Sequence, residues 1–199
     1  MKIRAAATAA ITLTALLALA GCAGTTGSSG SMPGMDHGSS SSTAAPAADA
    51  NDADIMFASM MIEHHTQAVD MSDTLLSKDT IDERVTALAE QIKAAQQPEI
   101  DQMEGWLEDW GADTSEMGGM DHGSGMMSEE DMQALDDATG VDAARLFLEQ
   151  MIAHHKGAID MAQTELEDGS NPDALALAQT IIDTQTAEIA TMQDLLTQL

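Results

Sequence analysis

Met61-Ile62-Glu63-His64-His65-Thr66-Gln67-Ala68-Val69-Asp70-Met71 returns, 90 residues later, as Met151-Ile152-Ala153-His154-His155-Lys156-Gly157-Ala158-Ile159-Asp160-Met161. A second phrase follows each copy. Gln96-Gln97-Pro98-Glu99-Ile100-Asp101-Gln102-Met103 pairs with Gln185-Thr186-Ala187-Glu188-Ile189-Ala190-Thr191-Met192, at an offset of 89. The domain is therefore a duplicated unit, and a one-residue change in an internal connection absorbs the difference in offset. Apolar residues recur at helical rather than alternating spacing in both segments. Each unit reads as a helical hairpin, with His-His on its first helix and Gln-x-x-Glu-Ile-x-x-Met on its second.

Composition agrees with helix. There is no Tyr, only two Phe and two Trp, while Ala, Leu, Met, Gln and Glu favour helix over strand. Start and stop signals bound four long helices. The first spans Asp52 to Leu76, and the second opens at a Thr80-x-x-Glu83 capping box and stops at Trp110 before Gly111. The third spans Val141 to Glu167, with Gly169 beyond it. The fourth has Asn171 as N-cap and Pro172 at its first position, and runs to the C-terminus. Ala112 to Met127 is a Gly/Met-rich crossover, followed by a short helix after Ser128-x-x-Asp131. The expected fold is all-α, an antiparallel four-helix bundle with ferritin-like connectivity. Repeat one covers residues 52–110, the crossover 111–140 and repeat two 141–199.

At ~100° per residue, Phe57, Met60, Met61, Ala68, Met71 and Leu75 share an arc with His64, and Ala58, Ile62, Val69 and Leu76 flank His65. Phe147, Met151, Ala158 and Met161 surround His154 in the same way, and Leu148, Ile152 and Ile159 flank His155. Asp70 and Asp160 recur too, but they fall on the polar face and are not counted as ligands. On the partner helices, Gln96 and Glu99 sit inside the stripe of Val85, Ile92, Met103 and Leu107. Gln185 and Glu188 sit inside that of Ile181, Met192 and Leu196. A buried carboxylate without a partner costs several kcal/mol, so Glu99 and Glu188 should pair with the histidines, orient them as ligands, or bind metal themselves. A single core histidine ordinarily just finds a hydrogen bond, and a methionine stripe ordinarily fills space. Four His, two Glu and two Gln in one core also suit a metal site built from facing helices. The candidate bundle ligands are His64, His65, His154, His155, Met61, Met71, Met151 and Met161, with Gln96, Glu99, Met103, Gln185, Glu188 and Met192 supporting or replacing them. Pro98 should kink the second helix beside Glu99.

A different duplicated phrase, Met-x-x-Met-Asp-His-Gly, occurs at Met32, Met35 and His37 and again at Met117, Met120 and His122. Together with Met126 and Met127, these methionines lie in Gly/Ser-rich sequence with no core to fill. Thioether selects Cu(I) and imidazole accepts Cu(II), so such segments are expected to bind copper in either state, and other transition metals fit the imidazoles.

The N-terminus accounts for the single cysteine. Lys2 and Arg4 precede the apolar run Ala5 to Ala20, and Leu19-Ala20-Gly21-Cys22 has the order of a lipoprotein cleavage box. Residues 1–21 are the expected signal, Cys22 the lipidated residue, and 22–49 a flexible Ser/Gly/Ala tether. With Cys22 lipidated, no thiol remains for a disulfide or a thiolate site. Seven Lys and Arg against 34 Asp and Glu give a net charge of −27, which repels nucleic acid and concentrates cations. The expected partners are a metal ion, a membrane reached through the lipid, and a copper-handling protein; no nucleic-acid partner is expected.

His-His-x-x-Ala-[Ile/Val]-Asp-Met at His64 to Met71 and His154 to Met161, with Gln-x-x-Glu-Ile-x-x-Met after each, resembles the "domain of unknown function 305" family over roughly Asp52 to Leu199. The resemblance implies a ferritin-like four-helix bundle, secreted or membrane-anchored in bacteria, with some members linked to copper binding and resistance. Gln67 departs from the family's glycine, which the second copy keeps at Gly157, so the two halves are expected to differ. Together these readings give a lipid-anchored protein of the bacterial cell envelope that buffers or sequesters copper and is not an enzyme. Its rivals are a metal oxidase using Glu99 and Glu188, which lacks the Glu-x-x-His pairs of di-iron bundles, and a structural module whose polar core only fixes the pairing of halves.

Overall fold

A computed structural model describes residues 50–112 and 125–199, all of which belong to one compact unit. Cys22, Met32, Met35, His37, Met117, Met120 and His122 lie outside the described residues. Among the described residues there are five helices: α1 Asp52–Leu76, α2 Glu83–Trp110, α3 Glu129–Asp137, α4 Gly140–Asp168 and α5 Pro172–Leu196. The architecture is the expected all-α bundle, two antiparallel hairpins joined by a crossover that carries α3.

Local signals set the ends. Asn51 caps α1 in a capping box with Asp54, and Ser128 caps α3 in another with Asp131. Asn171 accepts from the amides of Asp173 and Ala174 ahead of Pro172. The cap of α2 differs from expectation. Asp82, not Thr80, is the N-cap and accepts from Arg84 N, because Thr80 takes a left-handed φ of 61° while an N-cap needs extended backbone. α2 continues through Pro98 to Trp110, where Gly111 ends it with a φ of 64°.

α1 packs on α2 and α4, α4 on α5, and α3 on α1 and α4. Two apolar clusters result. One joins Ala68, Met71 and Leu75 of α1 to Ala144, Phe147 and Met151 of α4, with Ile92 of α2, Leu135 of α3 and Met192 of α5. The other joins Phe57, Ala58 and Met61 to Ala158 and Ala162, with Met103 and Ile181. The start of α1 thus meets the end of α4, so the helices are antiparallel. Fully burying each large side chain contributes about 1.5–3 kcal/mol. His64, His65, Gln96, His154, His155 and Gln185 are buried at the level in sequence between these clusters.

The crossover rejoins the bundle at a fixed point. Gln67 Nε2 donates to the Met127 carbonyl at 2.9 Å and its Oε1 accepts from Met127 N at 2.7 Å. Across from it, a Cβ on Gly125 would lie 2.7 Å from the Ala153 carbonyl oxygen and 2.9 Å from Gly157 Cα. The two residues that distinguish the repeats therefore work together: Gln67 grips the returning chain and Gly157 makes room for it. Gly125 also has a φ of 82°, so Gly125→Ala adds backbone strain to a clash and should destabilise by about 1–3 kcal/mol. Denaturant unfolding at constant m-value would measure it.

Candidate metal centre

Each first helix of a hairpin delivers two adjacent histidines to the core, one toward the other hairpin and one toward its own second helix. His65 Nε2 lies 2.8 Å from Glu99 Oε2, and His155 Nε2 lies 2.7 Å from Glu188 Oε2. The glutamates are half-buried, with side chains 18% and 12% exposed, and reach completely buried imidazoles. These bonds answer the requirement for partners of Glu99 and Glu188. His64 and His154 meet at the interface between repeats, their ring centroids 3.7 Å apart at 40°.

Burial lowers the His154 pKa well below 6.5, helped by the neighbouring His64, His155 and His65, while a contact with the His64 backbone opposes the shift. The ring is therefore neutral, the form in which imidazole accepts a metal. Neither His154 ring nitrogen makes a well-formed hydrogen bond among the described residues, and Nδ1 of His65 and of His155 is likewise without one. The Oε1 atoms of Gln96 and Gln185 share that condition. Buried nitrogens left this way are costly unless something else engages them.

Met61, Met71, Met103, Met151 and Met192 are fully buried, whereas Met161 is only partly so and Asp70 and Asp160 are exposed. Met126 and Met127 are partly buried, and Met127 packs against the cluster containing Leu75 and Phe147. The expectation that Met127 has nothing to pack against is thus corrected: Gln67 draws the backbone onto the bundle, and the side chain follows. Among the described residues, no three His, Cys, Asp or Glu side chains form a group able to hold a metal ion. The donor set still fits copper, since His64 and His154 bring two imidazoles together and Met61 and Met151 lie three residues before them on the same helix faces.

The family model for the domain of unknown function DUF305 matches residues 54–196. The chain belongs to the DUF305 family. Among solved structures, this DUF305 chain is similar to a DUF305 protein from Streptomyces coelicolor, with 33% identity over 76% of this chain and 95% of that one, at a TM-score of 0.68. A DUF305 fragment from Deinococcus radiodurans is 32% identical over 75% of this chain and 99% of that one, at a TM-score of 0.65. CopM in its Cu(II)-bound form is 32% identical over 73% of this chain and 96% of that one, at a TM-score of 0.64. CopM has also been solved with Cu(I), with silver and in the apo form. No curated protein matches the chain.

The DUF305 bundle also holds a buried acid pair that motif reading missed. Asp54 accepts from Asn51 N at 2.6 Å and from Ser170 N and Asn171 N at 2.9 Å each, tying the start of α1 to the α4–α5 turn. Burial raises its pKa, but these amides outweigh burial and hold it at about 2. Burial, and then the Asp54 carboxylate beside it, pushes Glu165 up to about 8. Phase could have found both: Asp54 lies seven residues before Met61, and Glu165 seven after Ala158. Between pH 4.5, the ordinary value, and about 8, the folded chain keeps the Glu165 proton that the unfolded chain has lost. Stability must fall across that window as pH rises. Asp54 acts oppositely and lower, its contribution being lost as pH falls from 3.8 toward 2. Glu165→Gln should therefore leave stability nearly unchanged at pH 4.5 and raise it at pH 8, as measured by thermal melts across this range.

Proposed function

We propose that this chain is a membrane-anchored, extracytoplasmic copper-binding protein of the bacterial envelope, one that buffers or sequesters the metal without catalysing a reaction on it. The observation that carries the reading is the contact of His64 with His154 across the repeats, deep in the core, with ring centroids 3.7 Å apart and both rings buried. Structures of CopM with Cu(I), Cu(II) and silver, at about 30% identity, support it. Copper is the cargo. His64 and His154 would hold it with Met61 and Met151, while Glu99 and Glu188 fix the His65 and His155 rings as a ligand's carboxylate partner does. The Met/His phrases around Met35 and Met120 would capture the ion outside the bundle and pass it inward. Lipid on Cys22 would keep the protein at the membrane.

The oxidase alternative needs Glu99 and Glu188 as ligands, yet each already bonds a histidine. Those same bonds favour a second reading, in which the polar core serves only to fix the pairing of halves. Metal-free protein after native purification from copper-supplemented cells would support that second reading.

Titration of the mature protein with Cu(I) against a competing chelator tests the proposal. His64→Leu with His154→Leu should weaken the tightest equivalent at least about tenfold, or about 1.4 kcal/mol. Unchanged affinity and stoichiometry would remove this pair from the site. Stoichiometry unaltered by replacing Met117, Met120, His122, Met126 and Met127 would remove the crossover.

A further inference from the structure

The two ends of the bundle are related by the repeat but are covered differently. At one end, α3 lies over the junction between the end of α1 and the start of α4. Gln150 Nε2 donates to the Asp131 carbonyl and Lys78 Nζ to the Asp136 carbonyl, both on α3, and Leu135 is fully buried there. At the other end, the start of α1 and the end of α4 leave an open cleft of about 400 Å³. Shifting by the repeat length of 90 residues makes Met60 the counterpart of Gln150, and Met161 that of the fully buried Met71.

Three thioethers line this cleft: Met56 and Met60 from α1 and Met161 from α4. Met56 is 42% exposed, and Met60 and Met161 are partly exposed, Met161 also packing against the cluster of Phe57 and Ala158. Asp52 and Asp168 stand at the same cleft, both exposed, and supply negative charge without occupying the methionine wall. Met56, Met60 and His64 follow one another at four-residue spacing, a single face of α1 with about 5–6 Å between successive Cβ atoms. The cleft methionines of α1 thus lie on the helix face that carries His64, with the fully buried Met61 and Ala158 between the cleft and the histidine contact.

We propose that Met56, Met60 and Met161 form a binding site for a soft monovalent cation, Cu(I) or Ag(I), at the open end of the bundle. This rests on the copper-binding reading and deepens it by adding a site outside the histidines. Neutral thioethers select soft ions over hard or borderline ones, and the acidic rim raises the local concentration of any cation. Three sulfurs from two helices give the site a fixed place on the bundle, unlike methionines in a tether.

Silver tests the site without redox chemistry. The full mature chain, labelled at methionine methyl carbons, is titrated with Ag(I) and followed by NMR, with resonances assigned by single Met→Leu variants. The methyls of Met56, Met60 and Met161 should shift together at one equivalent. A triple variant, Met56→Leu, Met60→Leu and Met161→Leu, keeps side-chain volume and should lose that one equivalent while retaining the rest. The variant His64→Leu with His154→Leu should keep it. Zn(II) should leave the three methyls unmoved. The proposal is overturned if these methyls stay in place while silver saturates the protein, or if the triple variant binds as many silver ions as the parent. Should that happen while the histidine variant loses Cu(I), the cleft fails and the copper-binding reading stands. A parent chain that takes up neither Ag(I) nor Cu(I) sinks both.

Discussion

Burying imidazole is the constraint from which the rest of this bundle follows. His64, His65, His154 and His155 are all at most 2% exposed, and a polar ring in a dry core costs free energy unless its nitrogens are engaged. Two of the rings meet this through Glu99 and Glu188, which stay partly exposed and so avoid the full penalty of a buried charge. The other two face each other across the repeats, and burial keeps His154 neutral. The apolar clusters above and below close the bundle around this level, so its polar groups have little freedom to find water.

Duplication built the frame, and departures from duplication gave it ends. Gln67 and Gly157 occupy the same place in the two repeats, and the returning crossover needs a grip from one and clearance from the other. Asp54 and Glu165 correspond, through the repeat, to Ala144 and Leu75, which are apolar core at the opposite end. One end is thus sealed by α3 and hydrocarbon. The other is tied by a carboxylate that collects amides from two chain segments and leaves a methionine-lined cleft beside it. A perfectly symmetric pair of hairpins would have neither the docked crossover nor the open cleft.

Much of this was legible before any coordinates. The span of α1 matched the expected Asp52 to Leu76, and the start of α5 and the end of α2 followed from Asn171, Pro172 and Gly111, because caps act within a turn of chain. Helical phase put all four histidines, Gln96 and Gln185 inside and Asp70 and Asp160 outside. The Thr80 capping box failed because a left-handed turn residue cannot serve as a cap, and nothing in Thr-x-x-Glu reports that backbone angle. Met127 was misread as having nothing to pack against because its burial depends on a hydrogen bond from Gln67, sixty residues away.

The sequence by itself determined the repeat, the helices and which face of each is buried, since these rest on spacing along one chain. Partners were decided only by the tertiary structure. Phase says that His64 and His65 both point inward, but not that one meets His154 and the other Glu99. Those choices depend on how antiparallel α1 and α4 slide and rotate against each other, and packing of the whole core fixes that. The Asp54–Glu165 pair and the cleft of Met56, Met60 and Met161 arise the same way, from side chains far apart in sequence brought to one end of the bundle.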